Sequence, residues 1–439
     1  MTELPFSIEI EVSKPTPGRR KVLCTAVLRR LGNKRTVFEG TDQGNPVIVK
    51  LFKSPLKGGY HVMREWRGLR KLHSRRLNAP QPLCCGSSSH GWVMLTEKIP
   101  AAATARQLWD TAETIQQKTQ LLCLLAGELA RFHDRGVLQK DLHLGNFLVN
   151  RTKVFALDAA QMHFASGPVA RKRSITQLAS LASILPPDNT PALDEICTRY
   201  AAARRWHWTQ ADRRLFEKRF AHAKKRGIRR GLKKLLRTST RHRKIVRRGF
   251  RAIAQRRFAD ELEFEQFVAD VDALMEQGQV LKRGNTSFVS RITLAGRDLV
   301  VKRYNHKGLW HSLRHTIKGS RARRCWLHAH RLTMLGVKTP APVAFIECLH
   351  GPLVWQSYFI TEYVEGRTLH DFLRDDRNSE EQKRHALENL RREIDRLAQH
   401  RITHGDLKHT NILVTTTGLY LTDLDGMRAT LVPAQRRIR

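Results

Sequence analysis

Acidic residues are scarce in this chain of 439 residues: 40 Asp and Glu stand against 79 Lys and Arg, leaving a formal charge of +39 with histidine neutral. A polyanionic partner therefore has to be considered, with phosphates, nucleic acid and an anionic membrane surface all open. Zinc-finger, RNP and helix-turn-helix signatures are missing, which makes nucleic acid the weakest of the three. The seven cysteines form no C-x-x-C pair, so neither a disulfide nor a zinc framework is expected, and a reducing compartment fits. Long apolar runs are also missing. The richest, Leu121 to Gly127, falls far short of the ~20 residues that span a bilayer, so any membrane contact is expected to be peripheral. The opening stretch MTELPFSIEIEV carries acids and no apolar core behind a basic one, so no secretory signal is expected.

What is present suffices to fold. Hydrophobic residues make up 41% and charged residues 27%, ordinary for a globular protein, and the length predicts two or three domains. The positive charge is concentrated: Arg204 to Arg257 holds 22 Lys and Arg against Asp212 and Glu217, which is +20 of the +39. Apolar residues recur at three- and four-residue intervals in Arg213–Phe220 and Gly231–Arg237, predicting basic amphipathic helices. Trp206, Trp208, Phe216 and Phe220 beside those cations resemble the mixture of an interfacial helix on an anionic membrane, the bland alternative being a solvated helical face. The expected domains are 1–203 and 258–439, joined by this basic, helical segment over 204–257.

The two halves repeat one order of elements, the trace of an internal duplication. An apolar strand ends on a lysine, Pro46-Val-Ile-Val-Lys50 and Asp298-Leu-Val-Val-Lys302. A helix bearing Trp66 or Trp326 follows, then a proline-bearing turn, a second strand, a helix and a polar loop. The loops are Asp141-Leu-His-Leu-Gly-Asn146 and Asp406-Leu-Lys-His-Thr-Asn411, both D-x4-N before an apolar strand. A second aspartate follows 17 residues after the first in each half, Asp158 and Asp423. Two loops with matched partners are hard to explain as ordinary turn aspartates. Phosphoryl transfer from ATP needs such a set: a carboxylate to orient the acceptor hydroxyl, an Asn and a second carboxylate for Mg²⁺, and a lysine on the phosphates held by a glutamate.

These motifs resemble the protein-kinase-like superfamily, and within it the bacterial lipopolysaccharide core kinases of the Kdo/WaaP family. The resemblance implies an α+β fold of two tandem protein-kinase-like domains, each an antiparallel N-lobe sheet with one helix and a helical C-lobe. It implies ATP and Mg²⁺, with Lys50 on the phosphates, Glu65 its partner, Asp141 the base, and Asn146 and Asp158 the metal ligands. The second copy would use Lys302, Asp406, Asn411 and Asp423 in the same roles. In that copy Cys325 stands where Glu65 does, and no acid lies between Lys302 and Glu347, so the lysine is expected to lack its carboxylate. The first copy is therefore expected to be the working one, although it lacks G-x-G-x-x-G near Leu31–Thr36 and Glu39-Gly40, and carries Gln139-Lys140 where His404-Gly405 stands in the second. The second has a phosphate-covering loop candidate at Arg283–Phe288.

A-P-E does not follow Asp158, and only 16 residues follow Asp423, so an activation segment is not expected and a glycolipid acceptor is favoured over a protein. The implied reaction is phosphorylation of a heptose or Kdo hydroxyl of the lipopolysaccharide inner core, on the cytoplasmic face of an anionic inner membrane. The rivals are a small atypical protein kinase and an inactive kinase-like scaffold on anionic membrane.

Overall fold

The computed structural model describes residues 4–31, 34–186, 189–305, 308, 313, 316–317 and 319–429. The chain divides into two compact units, one formed by residues up to 185 with 189–224, the other mainly by residues from 225 onward. Both mix helix and strand, as expected of an α+β protein.

In the first unit six strands pair antiparallel: β1 (Phe6–Lys14), β2 (Gly18–Leu31), β3 (Arg35–Asp42), β4 (Asn45–Phe52), β5 (Pro82–Ser88) and β6 (Gly91–Glu97). Their order is β1-β2-β3-β4-β6-β5, and β1 also pairs with β5, so the sheet closes into a barrel and has no free edge. Closure goes beyond the sheet expected from the sequence. Alternating residues Ile8, Ile10, Val22, Val47, Val49 and Leu51 fill the interior with Val93 and Leu95. Gly40 belongs to this packing: it faces Cys24 across β2 and β3, where a Cβ would clash with the Leu23 carbonyl, so it is no part of a phosphate loop. Of the expected loop at Leu31–Thr36, Gly32 and Asn33 lie outside the described residues.

Helix α1 (Pro55–Ser74) starts at Ser54, whose hydroxyl accepts from the Lys57 amide, with Pro55 preset for the first turn. It buries Val62, Trp66, Leu69 and Leu72. Below lie β7 (Ala103–Thr104), α2 (Ala105–Thr111), α3 (Ile115–Asp134), β8 (Val137–Gln139), β9 (Phe147–Asn150), β10 (Lys153–Ala156), β11 (Met162–Phe164), α4 (Arg171–Ala182), α5 (Thr190–Ala203) and α6 (Gln210–Lys234). A reciprocal Thr114–Gln117 cap opens α3, which packs Leu122, Leu125, Leu129 and Phe132 against Ile175 and Leu178 of α4 and Ile196 and Tyr200 of α5.

The basic segment is helical over α6, as its spacing predicts. Its aromatics, however, belong to the protein core: Phe216 and Phe220 are buried, and Trp206 and Trp208 pack against the same cluster. The aromatic face that suggested membrane insertion is thus occupied by the first unit, with Lys224 also buried and donating to the Leu185 carbonyl, while most of the other cations stay outside.

The second unit takes in the end of α6 and then a hairpin, β12 (His242–Arg247) and β13 (Phe250–Gln255), where helix is expected. Ile245, Phe250, Ala252 and Ala254 are buried on one face of this hairpin and Ile253 on the other, while Arg243, Arg247 and Arg248 stay outside, so the charge hides the alternation of the buried face. Next come α7 (Arg256–Asp260), α8 (Phe264–Gln277), β14 (Gln279–Gly284), β15 (Ser287–Leu294), β16 (Arg297–Tyr304), α9 (Arg321–Leu335), β17 (Pro342–His350) and β18 (Leu353–Glu362). The strands form one open antiparallel sheet, β12-β13-β17-β18-β16-β15-β14. The remainder is β19 (Arg367–Thr368), α10 (Leu369–Arg374), α11 (Glu380–Gln399), β20 (Ile402–Thr403), β21 (Ile412–Thr415), β22 (Gly418–Leu421) and β23 (Arg428–Ala429). Among the described residues no helix is long and apolar enough to cross a membrane.

Candidate active site

In the first unit β4 presents Lys50 on the face opposite the barrel residues Val49 and Leu51, towards α1. There Lys50 Nζ donates to Glu65 Oε1, and Glu65 is almost fully buried. Val37 lies across from Lys50, and Arg35, two residues away in the same strand, shares that face.

Asp141 follows β8 in a loop closed by Asn146, whose Nδ2 donates to the Asp141 carbonyl at 2.9 Å. The Leu157 amide donates to the Asn146 carbonyl at 2.8 Å, which ties the residue before Asp158 to the same loop. Asp158 sits in the left-handed region at φ 56°, a conformation that Asp tolerates better than most residues. Helix α1 approaches this turn closely: a Cβ on Gly68 would lie 2.5 Å from the Ala159 carbonyl, and Arg64 donates to the Ala160 carbonyl at 2.6 Å.

Charge is unevenly compensated here. Burial raises the Asp158 pKa, and the Glu65 charge raises it further; Arg35 and Lys50 oppose this and Asp141 adds to it. The side chain would therefore gain from a cation. Asn146 keeps its Oδ1 while Nδ2 is engaged, so Asn146 and Asp158 offer two oxygen ligands. Among the described residues no cluster of three or more His, Cys, Asp or Glu is arranged around a metal. Two protein oxygens completed by phosphate oxygens is the usual mode for Mg²⁺ with a nucleotide, and these residues fit it. Asp141 is well exposed and lies 3.5 Å from His143 Nε2.

The second unit repeats much of this geometry. Asn411 Nδ2 donates to the Asp406 carbonyl at 2.9 Å, the Thr422 amide donates to the Asn411 carbonyl at 2.9 Å, and Asp423 has φ 53°. His404 Nε2 lies 2.9 Å from the Thr422 carbonyl, a link its counterpart Gln139 lacks, since both Gln139 side-chain atoms are buried without partners. Gly405 has φ 80° and packs directly on the Gly426 carbonyl, which only glycine permits.

The lysine differs. Cys325 takes the Glu65 position, is buried, and lies 3.1 Å from the Tyr304 hydroxyl. Lys302 does not lack a carboxylate, contrary to the expectation: its Nζ donates to Asp423 Oδ1 at 2.7 Å. Burial raises Asp423, but Lys302, with Lys282 and His404, opposes it and the net shift is downward. Helix α9 is tied to this loop by Arg321, whose Nε lies 2.9 Å from both Asp425 oxygens, with Arg324 at 3.7 Å. In the expected loop Arg283–Phe288, Arg283 is held by Glu276.

Sequence reasoning missed three participants. Arg35 acts on Asp158 and has a buried Nε without a partner; it lies inside the Leu31–Thr36 stretch already singled out. Lys408 lies 2.9 Å from Asp406 Oδ1, placing a cation beside that carboxylate; it stands two residues on, inside the loop already singled out. The Arg321–Asp425 pair spans 104 residues and has no local signal.

Residues 266–438 match the model of the lipopolysaccharide kinase (Kdo/WaaP) family, and that match lies within the second unit. The family is one of phosphotransferases, which supports a kinase reading. No curated protein shows significant similarity to the chain.

Proposed function

We propose that the chain consists of two tandem protein-kinase-like copies and that the first phosphorylates a heptose or Kdo hydroxyl of the lipopolysaccharide inner core from ATP. The observation that carries this reading is the assembled set of the first unit: Lys50 held by buried Glu65, exposed Asp141, and Asn146 tied to the loop entering Asp158. In this reading Lys50 contacts the nucleotide phosphates and Glu65 fixes its position. Asp141 accepts the proton of the sugar hydroxyl, and Asn146 and Asp158 would hold Mg²⁺. Bound MgATP supplies the phosphoryl group and neutralises its charge.

A glycolipid acceptor is supported by the family match and by the short path after Asp158, since α4 begins at Arg171 and leaves little room for an activation segment. The cations of α6 that remain outside the core suit an anionic leaflet by charge alone, without insertion. Lys302, already paired with Asp423, fits a second copy that has drifted from catalysis.

A second reading rests on two observations: the family match covers the second unit, and Lys408 stands beside Asp406. Asp406 would then be the base, with Asn411 and Asp423 as metal ligands. Labelled γ-phosphate offered with both deacylated core oligosaccharide and lysate protein tests the acceptor. Label on the oligosaccharide is expected. Label only on protein would replace the reading by a small atypical protein kinase, and no label with retained binding to anionic liposomes would replace it by a scaffold.

A further inference from the structure

Beside the Asp141 loop the first unit has two adjoining cavities of about 320 and 430 Å³ that share Leu138, Arg173 and Gln177. Their walls carry Lys140, His163, Lys172, Arg173 and Arg219, and no acidic residue lines them. Three separate elements meet here. Leu138 of β8 lies across from His163 of β11, and Lys140 leaves the strand on the side of Leu138. Lys172 and Arg173 occupy the first turn of α4, and Arg219 comes from α6.

Nearby cations are spoken for: Arg171 pairs with Asp212, Arg204 with Asp134 and Arg213 with Asp194. Those of the cavity are not, having no carboxylate partner among the described residues, and the Arg219 Nε is buried without any partner. Helix α4 adds to this. Its N-cap is Ala170, which offers no side-chain acceptor, and its first three residues, Arg171, Lys172 and Arg173, are cations where the helix dipole favours anions. An anion set against this turn would satisfy amides and guanidinium groups together.

The floor is rigid. Gln177 Nε2 donates to the Gln139 carbonyl at 2.6 Å, so its Oε1 accepts from His133 Nε2 at 2.9 Å, and His133 Nδ1 in turn accepts from the Tyr200 hydroxyl at 2.5 Å. This chain of bonds fixes the strand whose next residues are Lys140 and Asp141.

We infer that this cavity binds a phosphate group already carried by the acceptor, holding it through Lys172, Arg173 and Arg219 while a neighbouring hydroxyl faces Asp141. The inference rests on the kinase reading above. It makes the enzyme selective for an acceptor that a previous phosphorylation has prepared.

The test is calorimetric titration of the full chain, without nucleotide, with phosphate-bearing deacylated core oligosaccharide, its phosphatase-treated counterpart and inorganic phosphate. The parent is expected to bind the phosphate-bearing form at least about tenfold more tightly than the treated one. Arg173→Gln with Arg219→Gln removes that difference, Arg173→Lys keeps most of it, and Asp141→Ala keeps all of it. Equal binding of the two oligosaccharides by the parent overturns the inference, as does a preference that survives the double glutamine variant. Inorganic phosphate binding as tightly as the oligosaccharide would reassign the cavity to a free anion and overturn the acceptor assignment. Phosphoryl transfer without discrimination between the oligosaccharides defeats the cavity and leaves the kinase reading standing. Discrimination without transfer defeats the kinase reading alone.

Discussion

Lys302 Nζ donates to Asp423 Oδ1 at 2.7 Å, and this ion pair separates the two units more sharply than any difference in their loops. In the first unit the matching lysine is paired with Glu65, and burial, with the Glu65 charge adding to it, raises the Asp158 pKa. In the second the lysine satisfies the aspartate itself, whose pKa falls despite burial. A metal–nucleotide complex would meet an uncompensated carboxylate in one unit and a compensated one in the other. Titration calorimetry with MgADP should therefore show Asp158→Asn weakening binding by about tenfold or more, roughly 1.4 kcal/mol or above, while Asp423→Asn changes it little. Equal losses would contradict this.

Lys50 is the counter-ion of a carboxylate that is almost fully buried. Lys50→Met leaves Glu65 charged and unpaired in the interior, which costs about 3–5 kcal/mol. Asp423 is less deeply buried than Glu65, so Lys302→Met should cost less, about 1–2 kcal/mol. Urea unfolding of the two variants should place the Lys50→Met midpoint clearly lower; coincident midpoints would show that the first pair carries no structural weight.

Acid should open the second unit before the first. Burial holds the His328 pKa down at about 4 and the His330 pKa at about 3, with charged neighbours adding to both, and His242 and His404 are lowered for the same main reason. Below the ordinary histidine range near 6.5 the unfolded chain takes up protons that these folded side chains refuse. Their stabilisation is complete above that pH and is lost as pH falls from 6.5 towards 4. The first unit has one such group, His133, lowered to about 4, and two that act oppositely: Glu128 raised to about 7 and Asp158 raised, each favouring the folded state on protonation. Hydrogen exchange at pH 7.5 and pH 5 should show protection lost first in β16–β18 and α9. Earlier loss in α3 and α4 would contradict the assignment.

All seven cysteines are free, and six are buried. Burial pushes Cys123, Cys197 and Cys325 up to about 12 and Cys348 to about 11, so none is a ready thiolate at neutral pH. Cys348 alone is partly exposed. A disulfide exchange reagent should modify Cys348 first in the native protein and the others only on unfolding; fast reaction at Cys85 or Cys325 would count against these cores.

The candidate site was the most legible part of the sequence because its residue types and spacings recur in both halves. Asp141 and Asn146 share one loop and Asp158 returns to it at the far end of the β9–β10 hairpin, as Asp423 returns to the Asp406–Asn411 loop at the end of β21–β22. Glu65 was found through the helix that carries Trp66. The partner of Lys302 was not, because it lies 121 residues away and follows from tertiary packing. The hairpin at 242–255 was hidden for a different reason: Arg and Lys on its outer face mask the alternation of Ile245, Phe250, Ala252 and Ala254. Closure of the barrel depends on β1 meeting β5, a pairing that no local pattern of Phe6–Lys14 announces. The aromatics of the basic segment show the limit of composition, since Phe216 and Phe220 look alike whether they face lipid or a protein core.

The central claim is that chemistry runs in the first unit, and transfer of labelled γ-phosphate to core oligosaccharide by the parent, Asp141→Ala and Asp406→Ala tests it most directly. The account predicts that Asp141→Ala loses transfer by about 10²-fold or more while Asp406→Ala retains it. Loss confined to Asp406→Ala would contradict the account and place the reaction in the unit where Lys408 stands beside Asp406.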